Sequence, residues 1–277
     1  MIIELSSNDR ISSSDRIATY GDGCFTTMCV TNNKIELLNA HIARLKEGCA
    51  RLKIDFTNWH SLQGKLEQFG LIHENRVVKA VISRGYGGRG YDTAGVTSPH
   101  CYLSVSDMPK HYADLSRQGL TLGLSTIQLA KQPLLAGIKH LNRLEQVLIK
   151  HEMRNMQVDD VIVCDTDSHV IECSAANLFW RKGTQWFTPN LDNCGVSGVM
   201  RNHIVNVMGK SKVPLAISNH PLQSLLDCDE AFISNSLMKI IKVKTFVIDG
   251  QKLMLDSTQS VFSDWFSTNQ HEVVLNE

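Results

Sequence analysis

The sequence predicts an α+β protein with largely antiparallel or mixed sheets. Short β-rich runs outnumber helical ones, and many are joined by tight turns rather than by helices. A charged, Pro-containing stretch without strong periodicity, residues 107–120, reads as a connection between a smaller α and β domain (1–110) and a larger one (121–277). The 277 residues suit one large domain or two modest ones. Such a chain buries roughly 75% of the surface it exposes when unfolded, so its core needs no metal or disulfide.

Each element has a local reason. Residues 30–38 read as the end of a hairpin with Asn32-Asn33 as its turn. Asn39 is suited to cap a helix running to about Leu52, with Ile42, Leu45, Cys49 and Leu52 on one face. Trp59, Leu62, Leu66 and Phe69 repeat that spacing. Val77 to Arg84 and Tyr102 to Val105 read as neighbouring strands, with the Gly-rich stretch 85–90 between them. In the second unit, a strand at 121–127 precedes a Pro133 loop and a helix from about Leu141 to Met153. Strands follow at 160–164, 169–173, 177–181 and 185–188, separated by turns such as Asp165 to Ser168 and Lys182-Gly183-Thr184. Gly198 to Met208 and Leu222 to Leu226 read as helices. Residues 231–233 and 240–248 read as strands, Asp249-Gly250 as a turn, and Val261, Phe262, Trp265 and Phe266 as a C-terminal helix.

Composition narrows the function. The 28 basic and 28 acidic residues balance, so no general attraction to nucleic acid or to an anionic membrane is expected. Eight scattered Cys without a Cys-x-x-Cys pair read as buried free thiols in a reducing compartment. No signal-peptide pattern opens the chain, and no apolar run of about 18 residues occurs, so a soluble cytoplasmic protein is expected. Walker, His-Glu-x-x-His and Gly-x-Ser-x-Gly patterns are absent, and the eleven His show no metal-site spacing. No metal is expected.

Three segments carry more polar chemistry than packing needs. Arg84-Gly-Tyr-Gly-Gly-Arg89-Gly-Tyr91 has the glycines of a nucleotide loop but no helix after it, so the pyrophosphate reading lacks its anion site. It reads instead as a mobile cationic substrate loop, with Arg84 and Arg89 suited to a carboxylate, or as a plain hairpin tip. Leu135 to Arg143 gathers Lys139, His140, Asn142 and Arg143 at the mouth of a helix. Ile171 to Trp180 sets Glu172 and Asn177 in strand-like text. Taken alone, these are either functional groups or partnered core and surface residues.

Together the motifs resemble the fold type IV pyridoxal-phosphate enzymes, a family of branched-chain aminotransferases, D-amino-acid transaminases and aminodeoxychorismate lyases. The resemblance rests on Ser14-Asp15-Arg16, Gly21-Asp22-Gly23-Cys24-Phe25, His41-Ile-Ala-Arg44-Leu45, Lys139 with Asn142-Arg143, Glu172 to Phe179, Gly195-Val-Ser-Gly198-Val-Met-Arg201 and Asp229 to Ser236. The motifs keep their order over roughly residues 10–240. Within the family the likeness runs furthest toward the aminodeoxychorismate lyases, through Gly23 to Thr27, Ser83 to Tyr91, Lys139 to Leu148 and Ala176 to Trp180. Aminotransferases of this fold usually carry Glu where Thr26 stands, and Gly-Thr where this chain has Asn235-Ser236.

The resemblance implies a two-domain fold like that of branched-chain and D-amino-acid aminotransferases, a homodimer, and pyridoxal 5'-phosphate as cofactor. It implies that Lys139 links to the cofactor and then serves as general base, and that Glu172 holds the proton on the pyridine nitrogen. Arg44, the amides of Val199 and Met200, and Ser236 are implied to hold the phosphate. Thr27 and Tyr91 are candidates for proton steps. Arg89, Asn235 and His41 are candidates for contact with the substrate, aminodeoxychorismate. The implied reaction is loss of pyruvate to leave 4-aminobenzoate, a step of folate biosynthesis. An aminotransferase and a non-catalytic binding protein on the same scaffold are the alternatives.

Overall fold

The computed structural model describes residues 1–6, 9–255, 262, 266 and 268. The chain forms two compact units, one made of Met1–Pro109 with Ile138–Arg143, the other of Lys110–Gly137 with Leu144–Glu277.

The first unit contains β1 (Ile2–Leu5), α1 (Arg16–Tyr20), β2 (Gly23–Thr31), β3 (Lys34–Ile35), α2 (Leu38–Leu52), α3 (Trp59–Ile72), β4 (Arg76–Ser83) and β5 (His100–Asp107). Its five strands lie in the order β1-β5-β4-β2-β3. All pairs are antiparallel except β1 with β5. Alternation along the strands sorts residues between two faces. Cys24, Met28, Val78, Ala80, Ile82, Cys101 and Leu103 form one core with Ile42, Leu45 and Cys49 of α2 and Leu62, Leu66 and Phe69 of α3. The intervening positions put Phe25, Thr27, Lys79 and Tyr102 on the opposite face.

The β2–β3 hairpin turns at Asn32 and Asn33, whose φ values of 53° and 57° suit a two-residue turn. Because β3 has only two residues, it pairs with Val30 and Thr31 and leaves the start of β2 uncovered. Residues 138–143 occupy that edge. The Phe25 amide donates to the Lys139 carbonyl at 2.9 Å, and the Leu141 amide to the Gly23 carbonyl at 3.1 Å. Arg143 closes the segment by donating to the carbonyls of His140 (2.9 Å) and Ile138 (2.6 Å). The helix expected from Leu141 therefore begins only at Leu144, and Lys139 lies in extended chain rather than at a helix mouth. The start of α2 also differs from expectation. Leu37, at φ 52°, is its cap, and Asn39 lies inside the helix. A left-handed residue reverses the chain from the hairpin into the helix, and no side-chain bond is used.

The second unit contains α4 (His111–Gln118), β6 (Leu120–Leu124), α5 (Leu144–Glu152), β7 (Asp160–Cys164), β8 (Val170–Cys173), β9 (Asn177–Lys182), β10 (Gln185–Pro189), α6 (Val199–Lys210), β11 (Leu215–Ser218), α7 (Gln223–Leu226), β12 (Glu230–Asn235), β13 (Lys239–Ile248) and β14 (Gln251–Met254). The strands run β11-β10-β9-β12-β13-β6-β7-β8, with β14 on β13. The sheet is mixed, with parallel pairs at β10–β11, β13–β6 and β6–β7. Leu120, Leu122, Ile162, Leu178, Trp180, Ile233, Val243 and Phe246 share one core. Phe179, Phe232 and Phe262 stack in sequence at 4.8 and 4.6 Å. Of the expected C-terminal helix, Phe262 and Phe266 are helical and buried, while Val261 and Trp265 lie outside the described residues. The segment read as a plain connection contains α4, and β14 is a strand the sequence pattern did not reveal. No helix among the described residues is long and apolar enough to cross a membrane.

Two glycines test this packing in opposite directions. A Cβ at Gly23 would lie 2.1 Å from the Ile82 carbonyl oxygen, so Gly23→Ala is expected to destabilise by about 1–3 kcal/mol. A Cβ at Gly64, in α3, would meet nothing within 4 Å, so Gly64→Ala is expected to stabilise by about 0.5–1 kcal/mol. Thermal melts of both variants measure the difference.

Candidate active site

In the first unit, the face of the sheet opposite the core carries two lysines beside Phe25. The Nζ of Lys139 lies 4.8 Å from the Phe25 ring centroid, and the Nζ of Lys79 lies at the same 4.8 Å. Lys79 pairs with Thr27 across β2 and β4, which sets both on this face. Burial pushes the Lys79 amine below its ordinary range. Lys79 was missed as a site residue, although its sequence signal is present: it is the one charge inside the apolar run Val77 to Ile82.

Behind the other face, α2 presents His41 and Arg44 one turn apart to Thr26 of β2. Arg44 Nη2 donates to the Thr26 hydroxyl, and the same hydroxyl oxygen hydrogen-bonds with His41 Nδ1 at 2.6 Å. His41 is 1% exposed, and its Nδ1 meets Thr26 here. Arg44 Nε is buried without a hydrogen-bond partner. Burial lowers the guanidinium to about 10, so it stays charged at neutral pH, and no described carboxylate forms an ion pair with it. A buried cation in this state needs an anion.

In the second unit, Glu172 of β8 is buried and accepts the Val196 amide at Oε2, 2.8 Å away. Residues 195–198 wrap that carboxylate closely. A Cβ at Gly195 (φ 82°) would lie 2.7 Å from Ile171 Cγ2, and one at Gly198 would lie 2.2 Å from Asn177 Oδ1. Asn177 Nδ2 donates to the Val196 carbonyl at 2.9 Å, so the buried Asn of β9 braces this turn. The turn leads into α6, where Gly198 is the N-cap and supplies no side-chain bond. The first amides of α6, including those of Val199 and Met200, are therefore positioned for an anion. Arg201 is buried one turn in. Burial lowers its guanidinium to about 10, Nη2 donates to the Pro189 carbonyl at 2.9 Å, and Nε has no partner.

The loop after β12 holds the remaining candidates. Asn235 Oδ1 accepts the amides of Leu237 (2.9 Å) and Met238 (2.8 Å), and its Nδ2 donates to the Ala175 carbonyl at 3.0 Å. Its polar atoms brace this turn. Ser236 follows in that turn, half-buried. Ser234, opposite Asn177 in the sheet, is fully buried with an unpartnered hydroxyl.

The Gly-rich loop departs most from expectation. Arg84 does not face outward. Its Nε donates to Asp22 Oδ2 at 2.7 Å, and its other nitrogens to the carbonyls of Lys53 (2.7 Å) and Leu52 (2.8 Å). Arg89 and Tyr91 are exposed. At the loop's base, Asp15 is fully buried. Its carboxylate accepts Ser83 Oγ (2.5 Å), Tyr102 OH (2.6 Å), His100 Nε2 (2.7 Å) and the Ile17 amide (3.0 Å). His100 Nδ1 faces the Ser98 carbonyl at 2.9 Å, so both ring nitrogens meet acceptors, as an imidazolium requires. Burial alone would raise Asp15, but the hydrogen bonds from His100, Ser83 and Tyr102 outweigh it and bring the carboxyl down to about 2. Burial would likewise lower His100, but the bond to Asp15 raises it.

Each unit by itself carries groups suited to a phosphate-bearing cofactor with a ring nitrogen: in the first a buried arginine without a carboxylate, in the second another such arginine, a helix start without a side-chain cap and a fixed buried glutamate. Comparison with known proteins agrees. The amino-transferase class IV family matches residues 23–246. The aminodeoxychorismate lyase of Vibrio harveyi is 38% identical over 229 residues, 83% of this chain and 84% of that one. A D-alanine aminotransferase of Listeria monocytogenes is 27% identical over 248 residues, 85% of this chain and 81% of that one. Among solved structures, the 4-amino-4-deoxychorismate lyase of Pseudomonas aeruginosa superposes with a TM-score of 0.87 at 34% identity, covering 94% of this chain and 96% of that one.

The Asp15 cluster makes stability depend on pH in a defined window. A carboxyl lowered to about 2 contributes fully above the ordinary value of about 4 and loses that contribution as pH falls through about 2, on the order of 2 kcal/mol in all. A raised His100 contributes below about 6.5 and loses its part as pH rises through its folded value. Urea melts of Asp15→Asn are expected to show lower stability at pH 5, and a gap from the parent protein that narrows between pH 4 and pH 2.

Proposed function

The chain belongs to the amino-transferase class IV family, and from that membership we propose that it is a pyridoxal-phosphate-dependent lyase converting 4-amino-4-deoxychorismate to 4-aminobenzoate and pyruvate. The observation that carries lyase over aminotransferase is its higher identity to the Vibrio harveyi lyase than to the Listeria monocytogenes aminotransferase. Thr26, standing where aminotransferases of this fold usually carry Glu, supports the same choice.

Arg44, the amides of Val199 and Met200, and Ser236 hold the cofactor phosphate in this reading, which gives the buried Arg44 charge its counter-ion. Glu172 holds the proton of the pyridine nitrogen, its carboxylate oriented by the Val196 amide. The chemistry that pyridoxal phosphate supplies when bound is an electron sink for the pair released at substrate C4.

Lys139 would hold the cofactor, and its amine would be the base that takes the proton from C4. The bond from C3 to the enolpyruvyl oxygen then breaks, and the ring becomes aromatic. Protonation of the enol carbon gives pyruvate, and Thr27 and Tyr91 are the candidates for assisting the proton steps. Aromatisation supplies much of the driving force, so the protein chiefly positions the base and stabilises developing charge. The substrate has two carboxylates, and Arg89 and Lys79 are the cations for them. His41 and Asn235 act through Thr26 and the 235–238 turn.

A homodimer is part of the same proposal. Leu144, Val147 and Leu148 form a stripe on α5 at 77%, 61% and 55% exposure, an apolar face suited to a second copy. The eight free, buried cysteines support a reducing, cytoplasmic setting.

Purified enzyme given aminodeoxychorismate without an oxo acid is expected to release 4-aminobenzoate. Amino-group exchange as the dominant activity would favour the aminotransferase instead. Glu172→Ala is expected to keep its cofactor but lose turnover by about a hundredfold or more. Borohydride reduction and peptide mapping should place the label on Lys139.

A further inference from the structure

Residues 84–97 have the composition of a flexible tip but the bonding of a fixed one. Gly85, Gly87, Gly88, Gly90 and Gly95 all take positive φ, at 114°, 98°, 73°, 60° and 75°. A Cβ at Gly85 would lie 2.5 Å from the Thr97 carbonyl oxygen, and one at Gly88 2.4 Å from that of Asp92. Glycine-rich backbone gives up much entropy when held in one shape, so something must offset that cost.

The dipeptide Asp15-Arg16 does so. Arg16 is 4% exposed. Its Nη1 reaches the carbonyls of Gly90 at 3.1 Å and of Gly87 and Asp92 at 3.4 Å. Its Nε donates to Asp22 Oδ2 at 2.8 Å, the oxygen that also anchors Arg84 at 2.7 Å. The guanidinium stacks 4.8 Å over Tyr20, whose ring is 5.5 Å from that of Tyr91. The Arg16 amide donates to the Gly85 carbonyl at 3.1 Å. Asp15 makes a backbone bridge to Tyr86, and Tyr86 another to Thr97. Tyr86 stacks on His100 at 4.8 Å, and its hydroxyl is 3.3 Å from that of Tyr102, so the Asp15 cluster ties both stems of the loop. Arg89 is left outside this cage, exposed and without an ion pair among the described residues.

We propose that Arg16 and Asp15 are positioning residues for substrate recognition: they hold the carbonyls and stems of loop 84–97 so that Arg89 meets a substrate carboxylate in one preset orientation. This rests on the reading of Arg89 given above. The benefit is preorganisation, since a guanidinium on fixed backbone loses less freedom when it binds.

The test combines amide hydrogen exchange over 85–97 with steady-state kinetics on the holoenzyme. Arg16→Met is expected to speed exchange across the loop. It should raise KM for aminodeoxychorismate about tenfold, the scale of one charge-assisted contact, and leave kcat within about twofold and the cofactor spectrum unchanged. Arg16→Lys should recover part of the KM, and it carries the test if Arg16→Met does not fold. Because Arg16 acts through Arg89, adding Arg89→Met to Arg16→Met should raise KM by less than the product of the single effects. Unchanged loop exchange, or KM effects that multiply in full, would overturn the proposal. Absence of 4-aminobenzoate formation by the parent protein would count against the reaction instead, while the exchange measurement still decides whether Arg16 holds the loop.

Discussion

Two backbone hydrogen bonds, Phe25 amide to Lys139 carbonyl and Leu141 amide to Gly23 carbonyl, hold the segment that carries Lys139, on which the proposed chemistry depends. They exist because β3 is too short to cover the first half of β2, leaving strand edge that a distant segment can pair with. An open edge is normally a liability, and here it becomes the mount for Lys139. Gly23 lets the sheet close behind that mount, since any side chain there would meet the Ile82 carbonyl. Alternation along β2 then sends Phe25 and Thr27 to one face and Thr26 to the other, where Arg44 and His41 meet it.

Two sets of charges with little exposure stand out among the described residues. Asp15, Asp22, Arg16 and Arg84 are satisfied within the first unit, and their bonds make rigid structure out of glycine-rich text. Arg44 and Arg201 are buried with an unpartnered nitrogen each, and no described carboxylate forms an ion pair with either. A protein does not ordinarily leave such groups uncompensated, and in the proposed function the phosphate of the cofactor compensates Arg44. The two arginines of the glycine-rich stretch, Arg84 and Arg89, show why composition alone misleads. Arg84 is a structural clamp and Arg89 is free to bind, although both read as cationic substrate groups in sequence.

Much of the architecture was legible from local pattern. The 3.6-residue spacing of Ile42, Leu45 and Cys49, and of Leu62, Leu66 and Phe69, marks α2 and α3 because those faces bury against a sheet. Asn32-Asn33 and Lys182-Gly183-Thr184 mark turns because few residues tolerate their backbone. Local pattern failed where long-range pairing decided the conformation. Helix α5 starts late because residues 138–143 pair with β2 and are folded back by Arg143. Asn39 does not cap α2 because the hairpin exit already requires a left-handed Leu37. The polar atoms of His41 and Asn235 face protein groups, and nothing in their immediate sequence distinguishes that from facing a substrate.

The sequence by itself determined α2, α3, α6 and most of the strands from β7 to β13, the α+β class, and the motifs that single out Lys139, Glu172, Arg44 and the turn before α6. These follow from periodicity, turn chemistry and residue identity, which are properties of neighbours along the chain. Only the tertiary structure decided that Lys139 lies on a borrowed strand edge, that Lys79 shares its face, and that Arg16 cages the loop carrying Arg89. Those facts depend on which backbone groups distant segments leave unpaired and on which charges end up buried without a partner. Such properties arise only when the chain closes on itself.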